Sequence, residues 1–529
     1  MDKGLWVRLG VAQVHLGRAQ SAVGSFLKAL ALEPSDGSVH YRLGLTFNEL
    51  ALKREAAECL RTALLMDLGP LEVGVRDLLA YYEREICDWA ASEPGLDALR
   101  ESIRKLPSTA AIQTNPFAHV TLLASPHDQL NGARSSARFY AEAVKPLPAR
   151  TPKRREKIRI GYVSADIRQH ATSFLMVQLL ERHDRSRFEI SIYSHGVEDD
   201  SKVYHRIRAA VDSFVSMRGL PATQIARRIR DDEIDIVVDL KGYTRDALPA
   251  IFAAKPAPVQ VAYLGFPGTS GAEFIDYIVG DPFVTPTAHA AHFSEKIAQL
   301  PNCYQCNDGT RALPSKPSRA SQGLPDDALV FCGFNQPYKI SPQVMDVWCR
   351  LLLRNPGSLL WLLEWNRDAP AALRREASAR GIDPSRLVFA KTLPLSEHLD
   401  RSACADIFLD TWPCNAHTTA SDALWSGLPL ITFSGATFAS RVAGSLLHAM
   451  GIQETICDSV ESYEAKAMEL AHDADKRMAV RRRIEAARLT SPLFSGERIA
   501  RDIEALYERM WERALAGLPP EHLPAQMMN

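Results

Sequence analysis

The sequence lacks any uninterrupted apolar run approaching the ~18 residues that a membrane-spanning helix needs. No secretory signal is visible, because the opening residues, MDKGLWVRLG, include three charged side chains. Lysine and arginine number 62 and aspartate and glutamate 63, so a net charge of −1 supplies no overall field for nucleic acid or an acidic membrane. These absences predict a soluble cytoplasmic protein that binds neither nucleic acid nor membrane.

Motifs of several enzyme classes are also missing. Nine cysteines stand in 529 residues without framework spacing, which favours reduced thiols over disulfides. The pair Cys303-x-x-Cys306 has no second pair or histidine at zinc-ligand spacing and is interpreted as structural. Asp473-Ala474-Asp475 lies in a charged helical stretch, so it is a poor candidate for binding a metal–diphosphate complex. There is no G-x-S-x-G turn, and no G-x-G-x-x-G follows the first strand of either α/β half.

The N-terminal seventy residues contain an internal repeat. The pair Leu9-Gly10 recurs as Leu43-Gly44, thirty-four residues later. At the same offset three further pairs match: Ala22 with Ala56, Phe26 with Leu60, and Ala29 with Ala63. Small residues at this period let antiparallel helices approach closely. The pattern resembles two tetratricopeptide repeats, at about 3–36 and 37–70 of an N-terminal region 1–70; an unrelated four-helix segment is the alternative.

The next two segments connect the repeats to the rest of the chain. Residues 71–145 are helical in pattern but keep no clear repeat, so a helical connection is expected. Residues 146–157 are rich in proline and basic side chains, which is typical of a linker. The basic run at 153–155 is interpreted as part of this solvated connector rather than as a nucleic-acid site.

After the linker, apolar runs alternate with helical stretches. The predicted strands are 158–164, 188–193, 234–240, 259–264, 329–334, 359–363, 387–390, 406–410 and 430–433. Such alternation predicts parallel sheets covered by helices on both faces, and a break near 301–327 divides them. The expected fold is therefore α/β, with two Rossmann-like halves at 158–325 and 326–495. Ligands of such sheets bind beyond the carboxyl ends of the strands.

The strongest local signal is DIFLDTWPCNAHTTASDALWSGLP, residues 406–429. A strand runs into a small, polar loop, and a helix is expected to begin near Thr418. Hydroxyls of Thr418 and Thr419 and the free N–H groups of the helix start would form an anion site suited to a diphosphate. Asp422, one turn on, could accept hydrogen bonds from two ribose hydroxyls. An ordinary capped helix is the alternative interpretation.

Three further loops follow predicted strands. Gln336 and Lys339 come after one strand of the second half, where a lysine can neutralise a departing diphosphate. His170 follows the first strand and could act as an acid, a base or a substrate contact. The loop 263–271, YLGFPGTSG, either lets a ligand approach its backbone or forms a tight turn.

Several of these segments together resemble a known family. They are GYVSADIRQHATSF, the stretch DLKGYTRDALPAIFAAKPAPVQVAYLGFPGTSGAEFIDYI, FNQPYKI, and CNAHTTASDALWSGLPLIT with FASRVAGS. Taken in this order, the segments resemble the catalytic region of the O-linked N-acetylglucosamine transferases. That family joins tetratricopeptide repeats to a GT-B glycosyltransferase. The resemblance covers about 3–70 and 158–515. The sequence resembles bacterial members of the family most, because it lacks the long insertion that animal enzymes have between the two catalytic halves.

The resemblance implies roles for individual residues. His170 would be the histidine at the sugar and acceptor end, and Lys339 the lysine bound to the diphosphate, with Gln336 beside it. The remaining implied UDP contacts are His417, Thr418 and Thr419 at the phosphates, Asp422 at the ribose, and Leu393, His398 and Arg401 around the uracil. The sequence departs from the family at Ala171, Phe174 and Leu395, where proline, histidine and lysine are usual.

The implied activity is inverting transfer of N-acetylglucosamine from UDP-N-acetylglucosamine to Ser or Thr hydroxyls of proteins. No metal would be required, and a protein acceptor would lie along the repeat surface. The segment 496–529 would carry a helix that packs back on the first catalytic half. Two alternatives stay open: a non-catalytic repeat scaffold with a degenerate transferase domain, and a transferase that uses another UDP-sugar or acceptor.

Overall fold

The computed structural model describes residues 2–526 and begins with a helical region. Its helices are α1 Lys3–His15, α2 Ala19–Leu32, α3 Gly37–Glu49, α4 Lys53–Ala63, α5 Glu72–Glu85, α6 Trp89–Arg104, α7 Pro116–Leu122 and α8 Pro126–Ala143. Within residues 2–526, no helix is both long and apolar enough to cross a membrane.

The thirty-four-residue period of the sequence is also a period of the packing. Asp2 caps α1 by accepting a hydrogen bond from the Leu5 amide, and Asp36 caps α3 in the same way. A Cβ added at Gly10 would lie 2.6 Å from the Phe26 ring. The equivalent atom at Gly44 would meet the Leu60 side chain at 3.0 Å. Within each helix pair, the two helices therefore approach each other through the same contact of a glycine with a large apolar side chain.

The first sheet has seven parallel strands in the order β3-β2-β1-β4-β5-β6-β7. The strands are β1 Ile158–Ser164, β2 Phe188–Ser194, β3 Ser213–Ser216, β4 Ile236–Asp239, β5 Val259–Ala262, β6 Tyr277–Gly280 and β7 Lys296–Gln299. The helices between them are α9 Ala171–Arg182, α10 Lys202–Ala209, α11 Ala222–Asp231 and α12 Ala250–Ala253. Central strands such as β4 are fully buried, as expected for a sheet covered on both faces.

The second sheet has six parallel strands in the order β10-β9-β8-β11-β12-β13. The strands are β8 Val330–Gly333, β9 Leu359–Leu363, β10 Leu387–Ala390, β11 Ile407–Leu409, β12 Leu430–Phe433 and β13 Ile456–Cys457. The helices are α13 Pro342–Arg354, α14 Ala369–Ala379, α15 Leu395–Ser402, α16 Thr418–Trp425, α17 Val442–Ala449, α18 Val460–His472, α19 Ala474–Ala487 and α20 Gly496–Leu515.

The predicted fold class is confirmed: a helical region precedes two Rossmann-like domains. The sequence did not predict β3, β6, β7 and β13, which have two to four residues each and give little periodic signal. The last helix, α20, returns to the first sheet domain, where Ile503 and Tyr507 join its core. There Glu504 Oε1 lies 2.8 Å from His183 Nδ1.

The two sheet domains are joined by direct contacts near Cys303. Its Sγ lies 3.4 Å from Ser445 Oγ, and Ser445 donates to Asp281 Oδ2 at 2.6 Å. Cys306 is also buried and contacts Met176 through sulfur at 3.6 Å. All nine cysteines are free thiols, and these two are packed within the protein rather than paired with each other.

Candidate active site

The cleft between the two sheet domains has a volume of about 590 Å³. The loops around it follow the carboxyl ends of β1, β5, β8, β9, β10 and β11, which is where ligands of parallel sheets bind. Every residue for which the sequence predicts a catalytic or UDP-binding role lines this cleft: His170, Gln336, Lys339, Leu393, His398, Arg401, His417, Thr418, Thr419 and Asp422.

Other cleft residues were not predicted as contacts. They include Phe117, Tyr304, Asn335, Trp365 and Thr392. Phe117 comes from α7, so the helical region itself contributes to the wall of the cleft. The three positions that depart from the family pattern also line the cleft: Ala171, Phe174 and Leu395.

Lys339 is a buried cation that lines the cleft. It ends the short 3₁₀ turn Pro337–Lys339 that follows β8, and its side chain is buried. Its Nζ donates to the carbonyl oxygen of Asn415 at 2.6 Å. This contact places the ammonium group beside the loop that leads into α16.

Asp410 holds that loop in place through hydrogen bonds. Its carboxylate accepts hydrogen bonds from the amides of Thr411 at 2.7 Å and Ala416 at 2.6 Å, and from the Thr432 hydroxyl at 2.6 Å. Burial raises the pKa of Asp410 to about 6. This role could not be predicted, because in the sequence Asp410 is an ordinary residue at the end of a strand.

Helix α16 begins at Thr418, and Thr418 and Thr419 in its first turn, where backbone N–H groups have no partner within the helix, line the cleft. The Thr419 hydroxyl donates to Asn335 Oδ1 at 2.6 Å, and Asn335 Nδ2 in turn donates to Thr411 Oγ1 at 3.0 Å. Asn335 therefore ties the end of β8 to the start of α16. Its amide holds the Thr419 side chain in one orientation.

His417 is the N-cap residue of α16, and its Nε2 lies 3.1 Å from the carbonyl oxygen of Ala439. A carbonyl oxygen only accepts, so Nε2 carries the proton and neutral His417 keeps Nδ1 as an acceptor. Burial, together with the nearby Lys339, holds the pKa of His417 well below its usual value. The imidazole is therefore neutral near pH 7.

The His398 imidazole and the Arg401 guanidinium form the opposite end of the cleft. Arg401 Nη2 donates to His398 Nδ1 at 2.8 Å. The Phe334 ring lies beside both groups, 5.3 Å from the imidazole centroid and 5.5 Å from the guanidinium. Burial and Arg401 lower the pKa of His398 to about 4, and burial lowers that of Arg401 to about 10. The two planar groups that line the cleft, His398 and Arg401, make this end suited to a nucleobase.

Asp422 has a partner that the sequence did not reveal. Arg311, from the segment between the sheets, donates through Nη1 to Asp422 Oδ1 at 3.0 Å. Burial raises the pKa of Asp422, and the adjacent Arg311 opposes that rise. One carboxylate oxygen is thus engaged within the protein.

His170 caps α9 from the first sheet domain. Its Nδ1 accepts from the Thr172 amide at 3.2 Å, and 39% of the side chain is exposed. Burial of the ring lowers the pKa of His170. Because Nδ1 already accepts a hydrogen bond, the neutral ring carries its proton on Nε2 and offers a donor. Beside it, Asp166 pairs with the buried Lys241.

The glycine-containing loop 263–271 reaches the cleft through Leu264 and Gly265. A Cβ at Gly265 would collide with the carbonyl oxygen of Leu240, so only glycine allows this loop to pack against the end of β4. Within residues 2–526, no group of three or more His, Cys, Asp or Glu side chains is placed to hold a metal ion.

Comparison with known sequences identifies the family. Residues 141–320 and 316–503 match the profile described as glycosyl transferase family 41. The chain belongs to this family. Its two Rossmann-like domains form the GT-B fold of such glycosyltransferases, and the cleft lies between them.

Similar proteins include curated relatives from a plant and a nematode. A probable UDP-N-acetylglucosamine–peptide N-acetylglucosaminyltransferase of Arabidopsis thaliana is 41% identical over 386 residues, covering 71% of this chain and 40% of the relative. The corresponding transferase of Caenorhabditis elegans is 31% identical over 481 residues, covering 70% of this chain and 42% of the relative. The chain thus spans about two fifths of the length of these relatives.

One solved structure resembles the whole chain. It is a mutant of the O-GlcNAc transferase of Thermobaculum terrenum, with 26% sequence identity and a TM-score of 0.79. The match covers 97% of this chain and 98% of the other, so it includes the helical region as well as both sheet domains.

Proposed function

We propose that this chain is an inverting glycosyltransferase that moves N-acetylglucosamine from UDP-N-acetylglucosamine to Ser or Thr hydroxyls of proteins. One observation carries the proposal: in a member of glycosyl transferase family 41, ten residues chosen from sequence motifs line a single cleft. The names of the Arabidopsis and nematode relatives supply the donor and the peptide acceptor.

In the proposed donor complex, the uracil lies near His398, Arg401 and Leu393. The ribose hydroxyls reach the free oxygen of Asp422. The diphosphate lies between Lys339 and the start of α16, with Gln336 beside it. The other residues at the phosphates are His417, Thr418 and Thr419. A cation and a helix N-terminus converge there, which is an arrangement suited to two phosphates.

In the proposed reaction, the acceptor oxygen attacks the anomeric carbon from the face opposite UDP. The bond between that carbon and the β-phosphate oxygen breaks, and Lys339 with the α16 dipole stabilises the diphosphate that leaves. The hydroxyl proton passes to water or to a phosphate oxygen. His170 then serves as a hydrogen-bond donor to the sugar or acceptor, since its free nitrogen carries a proton.

We also propose that α1–α4 are two tetratricopeptide repeats that bind the acceptor protein. Their repeated caps and glycine contacts support this assignment. Stacked helix pairs present an extended surface that fits a polypeptide better than a small molecule. The short connection between the sheets supports a bacterial type of enzyme, and the free thiols support a cytoplasmic location.

The rival function is a repeat scaffold whose transferase domain no longer turns over, which Ala171 and Phe174 in the cleft would favour. Titration calorimetry with UDP separates the two, because a scaffold with a decayed cleft should not bind the nucleotide. Turnover is then measured as UDP release with UDP-N-acetylglucosamine, UDP-glucose and UDP-galactose. The donor that is turned over fastest identifies the sugar. We expect UDP binding and a clear preference for UDP-N-acetylglucosamine. Absence of both would overturn the proposal.

A further inference from the structure

Three aromatic rings join the helical region to the turn that carries Lys339. Tyr338 lies 5.0 Å from Tyr81 of α5 and 6.1 Å from Phe117 of α7, measured between ring centroids. Tyr81 and Phe117 are themselves 5.8 Å apart. Tyr338 is buried and directly precedes Lys339 in the chain.

One of these rings, Phe117, also packs beside the loop to which Lys339 donates. Phe117 packs against a buried cluster that contains Cys414 and Ala439. Cys414 precedes Asn415, whose carbonyl accepts from Lys339, and the Ala439 carbonyl accepts from His417. The helical region therefore contacts both the residue before Lys339 and the loop that holds its ammonium group.

From this geometry we propose that Tyr81 is a positioning residue for Lys339, acting through Tyr338. The inference rests on the proposed function of the cleft. A lysine side chain has four rotatable bonds. The position of its charge therefore depends on the position of its backbone and of the carbonyl group to which the ammonium donates. A displacement of about 1 Å of a group that acts in the transition state lowers the rate while ground-state binding persists. Tyr81 does not line the cleft, so it has no direct contact with the donor.

The test compares Tyr81→Ala with Tyr81→Phe and with Tyr82→Ala. Tyr82 is the next residue of α5 and packs into the core of the repeats, so its loss controls for weakening of the helical region. We expect Tyr81→Ala to lower kcat about tenfold while the UDP dissociation constant changes less than about threefold. Tyr81→Phe should retain kcat, and Tyr82→Ala should reduce it by less than about twofold.

A double-mutant cycle decides whether Tyr81 acts through the lysine. In the Lys339→Ala background, Tyr81→Ala should lower the residual kcat by less than about twofold, because the positioned group is gone. An undiminished tenfold effect there, or an equal effect of Tyr82→Ala, would overturn the proposal. If Tyr81→Ala does not fold, Tyr81→Leu, which keeps an apolar side chain, replaces it in the same cycle. A wild-type protein that releases no UDP would instead count against the proposed function.

Discussion

Arg311, from the segment between the two sheets, donates through Nη1 to Oδ1 of the cleft residue Asp422 at 3.0 Å. Both side chains are almost fully buried. The guanidinium also lies 4.9 Å from the Trp425 ring centroid, on the same helix as Asp422. The segment between the sheets therefore supports a residue of the cleft wall.

Replacement of Arg311 by methionine should leave Asp422 buried without its charged partner. We expect a loss of ~3–5 kcal/mol in the free energy of unfolding, as for other broken buried ion pairs. UDP affinity should fall at least about tenfold, because an unpaired buried carboxylate tends to become protonated. Denaturant titration and calorimetry measure the two effects.

Arg319→Met is the matched control. Arg319 stands in the same segment and pairs with Asp406 at 2.8 Å, but neither residue lines the cleft. Its loss should reduce stability and leave the UDP affinity of the folded protein unchanged. Equal losses of UDP affinity in both variants would contradict a specific role for the Arg311–Asp422 pair.

The affinity for UDP-N-acetylglucosamine should not change between about pH 7 and about pH 8, a range that lies above the pKa of about 6 of the buried Asp410. The pKa of His398 is about 4 and that of His417 is well below its usual value, so both rings are neutral over this range. If either ring had to be protonated to hold the diphosphate, affinity would fall as pH rose through its pKa. Calorimetry at several pH values checks this, and a tenfold weakening toward about pH 8 would show that a protonated histidine is needed.

Turnover should continue in excess EDTA. In the proposed reaction, Lys339 and the start of α16 supply the positive charge that a divalent cation supplies in other transferases. UDP release is followed with and without chelator, with added Mg²⁺ as the control. Activity that disappears with EDTA and returns with Mg²⁺ would contradict the proposed leaving-group stabilisation.

Charge reversal on the repeats should affect protein acceptors and not the donor. Arg8 and Arg42 are exposed, occupy equivalent positions of α1 and α3, and are distant in sequence from every cleft residue. Arg8→Glu and Arg42→Glu should raise KM for a protein acceptor, because stacked repeats raise the local concentration of a bound chain. Their UDP affinity should equal that of the wild type.

A short peptide that reaches only the cleft provides the control for the repeat variants. Its KM should be the same for Arg8→Glu, Arg42→Glu and the wild type. Loss of UDP binding in folded variants, or unchanged KM for every protein acceptor tested, would show that donor and acceptor binding are not divided in this way.

The residues that gather in the cleft could be predicted because each follows a strand. His170, Lys339 and Thr418 lie just beyond β1, β8 and β11, and parallel strands bring such positions to one edge. The strands themselves were predictable where apolar runs were long. Short strands such as β6 and β13 depend on pairing with their neighbours, which a local pattern does not encode.

The supporting residues could not be predicted, because each acts across a long separation in sequence. Arg311 reaches Asp422 from a proline- and serine-rich stretch that reads as a loop. Asn335 reaches Thr419, and Phe117 enters the cleft from the helical region. Arg311 and Phe117 lie in no motif, and the motif FNQPYKI that contains Asn335 does not indicate a contact with Thr419.

Mass spectrometry of protein acceptors incubated with UDP-N-acetylglucosamine is the most direct test of the proposed transfer. The wild-type protein should add one N-acetylhexosamine to Ser or Thr side chains. Lys339→Ala should reduce kcat by ~10²–10³, the scale for loss of one charge contact to a leaving group, and should weaken UDP binding less. Lys202→Ala, an exposed lysine of α10, should behave as the wild type. If the wild type modified no acceptor, or if Lys339→Ala retained more than half of the wild-type kcat, the proposed transfer would be wrong.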